Sequence, residues 1–327
     1  MNHCRISLKP IKTHSKYPHY LDYEFRKLFQ SLKVNPVLSF TRKDFFRQSP
    51  IKSKGMSISG VQQKLSLKIS SDNEFEITST EGEYILKPSP ETFPHASENE
   101  HCAMLTSRIL GIKTADCGLV SFSDGELAYI TKRFDLKGEN KIHQEDLVQG
   151  FEMRSEDKYA YSYEKSGKLI NAMTNGKASV VFDFLSRVVH AYIIGNDDMH
   201  LKNISLQKLP ENTGLYYDGM TPNYDCLFTN AFNTVSGSDF LALDLLEDEK
   251  HGIFSKAYEK YGFYTGHDFK VLGDRLGLRE KPVTTLINNI RKKEPLLIDL
   301  IHCSLMPADM KKKAGLMVSE RIKTLGF

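Results

Sequence analysis

Gly195-Asn196-Asp197-Asp198-Met199-His200-Leu201-Lys202-Asn203 crowds two carboxylates, an imidazole, an ammonium and two carboxamides into nine residues. Before it, Val180–Ile194 is apolar nearly all round, the pattern of a buried helix, and Gly195 stands where such a helix stops. After it, Ile204–Gln207 reads as a strand. A polar loop held between a buried helix and a strand is where a rigid scaffold presents reactive side chains.

Asp198 and Asn203 stand five apart, the Asp-to-Asn spacing of the protein-kinase catalytic loop. There the Asp orients a hydroxyl and accepts its proton, and the Asn holds Mg²⁺. The spacing also recurs by chance. Asp197, Asp198 and His200 equally fit part of a metal-hydrolase cluster, though no second His-rich segment completes it. Further on, Asp225 lies in an apolar, strand-like run, Tyr224-Asp225-Cys226-Leu227, where a carboxylate is costly unless it binds a metal or a donor. Asp218, in Tyr217-Asp218-Gly219, competes for that role. Upstream, Lys87 ends the strand Tyr84-Ile85-Leu86, like the strand lysine that grips ATP phosphates. A solvated strand end is the plainer reading of the same residue.

The elements between these points predict an α+β chain in two lobes. Leu21, Phe25, Leu28, Phe29 and Leu32 recur at helical spacing, so 20–32 reads as a helix. Residues 41–57 read as loop. Leu65, Leu67 and Ile69 then alternate with polar residues and open an antiparallel meander. Ser97 and Glu100 have the spacing of a capping box for a helix ending at Gly111. A hairpin follows around Ser123-Asp124-Gly125-Glu126. Late helices read over 282–302 and 308–325, with Pro282 and Pro307 near their starts. The expected division is a β-rich N-lobe over 1–135 and a helical C-lobe over 136–327.

Composition narrows the function classes. The 327 residues carry a formal charge of +3, which gives no basic stripe for direct nucleic-acid binding. No run of eighteen apolar residues predicts a membrane span. The start of the chain lacks the apolar core of a secretory signal. Five scattered cysteines without a C-x-x-C pair suit reduced thiols, so a cytoplasmic location is expected.

Taken together, Ser59-Gly60-Val61-Gln62-Gln63-Lys64, Tyr84-Ile85-Leu86-Lys87-Pro88, Lys132-Arg133-Phe134-Asp135, His143-Gln144-Glu145-Asp146, Gly195 to Asn203, and Asn223-Tyr224-Asp225 resemble the HipA-like serine/threonine kinases, toxins of bacterial toxin–antitoxin systems. The family's G-x-x-D-x-H-x-K-N loop is complete here as Gly195, Asp198, His200, Lys202 and Asn203. The resemblance implies a two-lobed kinase-like fold, ATP and Mg²⁺. It implies Asp198 as catalytic base, Asn203 and Asp225 as Mg²⁺ ligands, and Lys87 and His200 as phosphate contacts. It places Lys132, Arg133, Phe134 and Asp135 at a hinge beside the adenine, and Ser59, Gly60, Val61 and Gln62 over the phosphates. Lys132 departs from the Glu common in the family. Only 56 residues precede Ser57, which resembles the HipT kinases of three-part HipBST systems. That implies a HipS-like small protein and a HipB-like DNA-binding antitoxin as partners, with DNA reached only through HipB. The implied substrate is an aminoacyl-tRNA synthetase, the tryptophanyl enzyme for HipT.

Ser57 and Ser59 lie two apart, on one side of an extended segment, after several basic residues. They are expected to be autophosphorylated, as a brake on nucleotide binding. Two other readings compete. An aminoglycoside-kinase-type phosphotransferase would lack the Ser-Ile-Ser-Gly-Val-Gln stretch, and a non-catalytic nucleotide-gated module would lack one of Lys87, Asp198, Asn203 or Asp225.

Overall fold

The computed structural model describes residues 2–12, 14–48, 62–79, 82–138, 140–232 and 240–327. The first half is built on strands β1 (Leu65–Ile69), β2 (Phe75–Ile77), β3 (Tyr84–Pro88), β4 (Cys117–Ser121) and β5 (Leu127–Lys132). They form one antiparallel sheet in the order β2-β1-β3-β5-β4. Period-two alternation fixes its register, so Leu67, Leu86, Val120, Ala128 and Ile130 share one buried face.

That face is covered by residues preceding the sheet. Helix α1 (Asp22–Phe29) contributes Phe25, Leu28 and Phe29, and helix α2 (Arg42–Gln48) contributes Phe45. The rest of the segment is pinned to the sheet edge. Leu119 N–H donates to the Arg5 carbonyl at 2.8 Å, and Tyr20 Oη donates to the Leu119 carbonyl at 2.8 Å. Helix α2 corrects the loop reading of 41–57. Thr41 and Asp44 cap it reciprocally: the Asp44 amide reaches Thr41 Oγ1, and the Thr41 amide reaches Asp44 Oδ2.

Against the other face lies helix α3 (Ala96–Ile109), buried along nearly its whole length. Its start differs from the expected capping box. The residue preceding it is His95 in left-handed conformation, whose side chain caps no amide, and Ser89 Oγ accepts from the Ser97 amide at 3.0 Å. Ser97 Oγ donates instead to the Lys87 carbonyl at 3.0 Å.

After β5 the chain makes a small hairpin, β6 (Leu136–Lys137) with β7 (Asn140–Lys141), and strand β8 (His143–Asp146). It then turns helical through α4 (Leu147–Gly150), α5 (Tyr163–Met173) and α6 (Ala178–Ile194). Strands β9 (Ser205–Lys208) and β10 (Gly219–Met220) complete a three-stranded sheet with β8. The rest is α7 (Lys256–Tyr261), α8 (Gly266–Arg275), α9 (Glu280–Lys292), α10 (Glu294–Cys303) and α11 (Ala308–Thr324). The expected helix over 282–302 is therefore two helices meeting at Lys293, with Pro295 in the first turn of the second. Helix α6 is the axis of the larger core, with Phe184, Leu185, Val188, Tyr192 and Ile193 fully buried.

Candidate active site

Helix α6 ends in a left-handed Gly195 at φ +61°, whose amide reaches back to Tyr192 while the Asn196 amide bonds the Ala191 carbonyl. This cap turns the chain so that Asn196–Asn203 runs back along the helix end. The loop is held from inside and by several neighbours, among them Thr229, whose Oγ1 accepts from the Asp197 amide at 3.0 Å, and Tyr224, whose Oη donates to the Lys202 carbonyl at 3.1 Å. Asn203 Nδ2 donates to the Asp198 carbonyl at 2.8 Å, and Asn196 Oδ1 accepts from the Asp198 amide at 3.2 Å. From the 158–163 segment, the Lys158 carbonyl accepts from Leu201 N–H and Tyr163 Oη donates to the Met199 carbonyl.

Asp198 is only 3% exposed. Its Oδ1 accepts a hydrogen bond from Tyr159 Oη at 2.9 Å, and His200 Nε2 lies 3.6 Å away. Burial, reinforced by the Lys158 ammonium, pushes the His200 imidazole down to about 4, so it is neutral near pH 7. Lys158 Nζ stands 2.8 Å from His200 Nε2, the ring nitrogen that accepts. The ring proton therefore sits on Nδ1, which is buried and has no hydrogen-bond partner among the described residues.

Across the cleft, Lys87 of β3 is buried with its ammonium between two carboxylates. It lies 2.8 Å from Glu100 Oε1 on α3 and pairs closely with Asp225 Oδ1. Glu100 is thus the partner of Lys87, which the capping-box reading obscured. Glu98 bonds His95 instead, at 3.1 Å. Burial pushes the Glu100 carboxyl up, opposed by the Lys87 ammonium. Burial acts the same way on Asp225, but Lys87 and then Lys64 outweigh it and hold its carboxyl below the ordinary range.

Asp225 is in coil, not in the strand-like run that its neighbours suggest, and its backbone is left-handed at φ +53°. Asp tolerates this region better than most residues. The conformation turns its carboxylate toward Lys87 while Cys226 and Leu227 enter the core. Asp218, the competing candidate, is occupied elsewhere: its Oδ2 accepts from Leu209 N–H and Asn212 Nδ2 in the β9–β10 hairpin.

A cleft of about 490 Å³ opens between the sheet and the helical half. Lys87, Glu100 and Asp225 line it, with Lys132, Arg133, Phe134 and Asp135 along one side. Arg133 clamps the Asp135 carboxylate in two hydrogen bonds of 2.9 and 2.7 Å, which fixes the chain as it leaves β5. Phe134 faces Tyr224 with ring centroids 5.5 Å apart. Gln144 also lines the cleft, and its buried Nε2 has no partner among the described residues. Its residue type gave no role in the sequence beyond the His143–Asp146 motif. Tyr224 carries a sequence signal only as part of Asn223-Tyr224-Asp225, with no role of its own, and Lys158 and Tyr159 carry none. Gln62 bonds the Pro88 carbonyl at 3.4 Å. Ser57, Ser59, Gly60 and Val61 lie outside the described residues.

A five-stranded antiparallel sheet over a helical half, with a strand lysine and a helix glutamate in the cleft between them and a polar loop at the end of α6, is the arrangement of a two-lobed, kinase-like α+β fold. Residues 56–295 match the model of the HipA-like C-terminal domain, and the chain belongs to that family. It is 35% identical to a candidate kinase of Haemophilus influenzae over 94% of this chain and 92% of that protein. It is 31% identical to the candidate kinase Y4dM of Sinorhizobium fredii, of which it spans 51%. Among solved structures, HipA of Shewanella oneidensis MR-1, from a toxin–antitoxin complex with HipB and operator DNA, shares the fold. The TM-score is 0.65 at 21% identity, over 85% of this chain and 68% of that one. The Helicobacter pylori proinflammatory kinase CtkA aligns at a TM-score of 0.51 and 15% identity, over 80% of this chain and 90% of its own. Membership of a kinase family implies use of ATP. No helix among the described residues is long and apolar enough to cross a membrane.

Proposed function

We propose that the chain is an ATP- and Mg²⁺-dependent serine/threonine protein kinase acting as the toxin of a toxin–antitoxin system. The observation that carries this reading is Lys87, buried between Glu100 and Asp225 in the cleft that the sheet and the helical half share. In protein kinases the same trio, strand lysine, helix glutamate and metal-binding aspartate, must be in place for transfer.

The donor set suits Mg²⁺. Asn203 has committed its Nδ2 to the loop and keeps a carboxamide oxygen, Asp225 offers carboxylate oxygens, and a hard cation completed by phosphates and water needs little more from protein. Mg²⁺ when bound neutralises charge on the phosphates. Asp198 orients the acceptor hydroxyl and takes its proton. Lys87 holds the phosphates, and the Nδ1 proton of His200 points a neutral donor at them. Lys132 to Asp135 would border the adenine, with Phe134 and Tyr224 packed on each other beside it, and Gln144 would supply a further amide donor. By resemblance, Ser59, Gly60, Val61 and Gln62 are phosphate-binding residues, and Ser57 and Ser59 are sites of self-phosphorylation.

By resemblance, the acceptor is a serine of an aminoacyl-tRNA synthetase, the tryptophanyl enzyme first. The partners are a HipB-like DNA-binding antitoxin and a HipS-like small protein. The test is incubation of purified protein with radiolabelled ATP, Mg²⁺ and purified tryptophanyl-tRNA synthetase, alongside a cytosolic lysate. Label is expected with the wild type and absent with Asp198→Asn. No labelled protein in either sample refutes the kinase reading, and label on a different synthetase alone refutes the substrate.

A further inference from the structure

We propose that Tyr159 stands in for the acceptor hydroxyl on Asp198, and that its ring must swing aside before a substrate hydroxyl can be phosphorylated. The inference rests on the kinase reading above and adds the residue that guards its acceptor position.

An acceptor in this reaction must aim its O–H at a carboxylate oxygen of the base. Tyr159 Oη does so now, donating to Asp198 Oδ1 at 2.9 Å. A phenol in that place satisfies the carboxylate oxygen that an acceptor hydroxyl would use. Asp198 is almost wholly buried, whereas Tyr159 is 45% exposed. The ring therefore lies on the solvent side of the carboxylate.

The backbone around Tyr159 is anchored, while the ring is not enclosed. The preceding carbonyl, of Lys158, accepts from Leu201 N–H at 3.1 Å, and Tyr163 N–H donates to the Asp244 carbonyl at 2.8 Å. The ring touches His200 edge-on at 5.1 Å between centroids. On its other side it borders a hollow of about 690 Å³ between residues 159–165 and 240–264. A half-exposed side chain on a fixed backbone can change rotamer without moving the catalytic loop. Withdrawal into this hollow would uncover Asp198 and leave room for the segment carrying the acceptor.

With the ring withdrawn, the balance is simple. The acceptor oxygen bonds the γ-phosphorus, the bond from that phosphorus to the ADP oxygen breaks, and the acceptor proton goes to Asp198. With the ring in place, the phenol occupies the approach to Asp198 Oδ1 that the acceptor hydroxyl needs.

The test compares wild type, Tyr159→Phe and Asp198→Asn in the full chain, with Mg²⁺ and ATP. Hydrolysis is followed without acceptor, and transfer is followed to myelin basic protein as probe. In Tyr159→Phe, hydrolysis should rise about five-fold and the KM for the probe fall by a similar factor, the worth of one hydrogen bond, with kcat held. A fall in kcat at constant KM, no change in either, or phosphate on Tyr159 itself by mass spectrometry would overturn the inference. An active wild type with an unchanged Tyr159→Phe sinks this inference alone. A wild type that turns over no ATP sinks the kinase reading and this one with it.

Discussion

Replacing Lys87 by methionine leaves Glu100 and Asp225 in the cleft without the ammonium between them. Removing one member of a buried ion pair costs about 3–5 kcal/mol, because the remaining charge has no partner. Glu100 is the member best placed to respond. Its carboxyl is already pushed up by burial and takes a proton once Lys87 is gone. Lys87→Met should therefore lose stability in urea unfolding at pH 8, and the double variant Lys87→Met/Glu100→Gln should recover part of the loss. Glu100→Gln alone should cost less than Lys87→Met, since Asp225 still pairs the ammonium. If the double variant is less stable than Lys87→Met, the assignment of Glu100 as the strained partner is wrong.

At the scale of elements, the joint between α6 and the loop that follows depends on one glycine. Gly195 sits at φ +61°, and a Cβ there would run into the Met317 side chain of α11. Left-handed backbone costs an L-residue about 1–2 kcal/mol before any clash. Gly195→Ala should lower the thermal midpoint and, by displacing Asn196–Asn203, reduce phosphoryl transfer more than it reduces stability at the assay temperature. Retention of full activity would show that the bonds from the 158–163 segment, Thr229 and Tyr224 position the loop without the glycine cap. This joint was legible in the sequence because a long apolar run meets a glycine and then a polar cluster. Other elements misled for a physical reason. Ser97 and Glu100 have capping-box spacing, but a backbone carbonyl and a buried ammonium outcompete the helix end for them. Helix α2 carries its own reciprocal cap in Thr41 and Asp44, masked by basic neighbours that read as loop. The break at Lys293 is hidden because apolar periodicity continues across it. Lys158 and Tyr159 reach His200 and Asp198 through long-range contacts that no local pattern encodes.

For the molecule as a whole, acid sensitivity follows from histidines buried in neutral form. Burial, with the nearby Arg187 cation, lowers His190 to about 3, and burial lowers His101 to about 4. A group whose folded pKa is depressed stabilises the fold fully above its unfolded value, near 6.5, and loses that contribution as pH falls toward the folded value. Glu100 and Glu249, both pushed up to about 7 by burial, act in the opposite sense between about 4.5 and 7. Comparison with a single variant cancels these shared contributions. His190 donates from Nε2 to Thr106 Oγ1 at 2.9 Å, since that hydroxyl gives its own proton to the Ala103 carbonyl, and a glutamine amide can replace the donor. Between pH 6 and 4, wild type should lose more stability than His190→Gln, by about 1.4 kcal/mol per pH unit, one proton's worth. Parallel curves for the two proteins would show that His190 is not the group being charged.

The packing of residues 2–46 on the sheet separates two notions of a domain. The match to the HipA-like C-terminal domain begins at residue 56 and ends at 295, yet neither boundary is a physical seam. Cys4, Ile6, Tyr20, Phe25, Leu28, Phe29, Val34, Leu38 and Phe45 supply much of the core beneath the outer face of the sheet. At the other end, Ala314, Val318 and Ile322 of α11 complete the larger core, and Arg321 donates to the Tyr192 carbonyl at 2.6 Å. The span of the family model is thus smaller than the cooperative unit, and the relative in Haemophilus influenzae matches the chain over 94% of its length. A fragment of residues 56–295 would expose two apolar surfaces at once, and it should come out of expression aggregated while the full chain melts in a single transition. Recognition by descent marks where the chemistry is kept; the flanks decide whether that stretch has a solid state to keep it in.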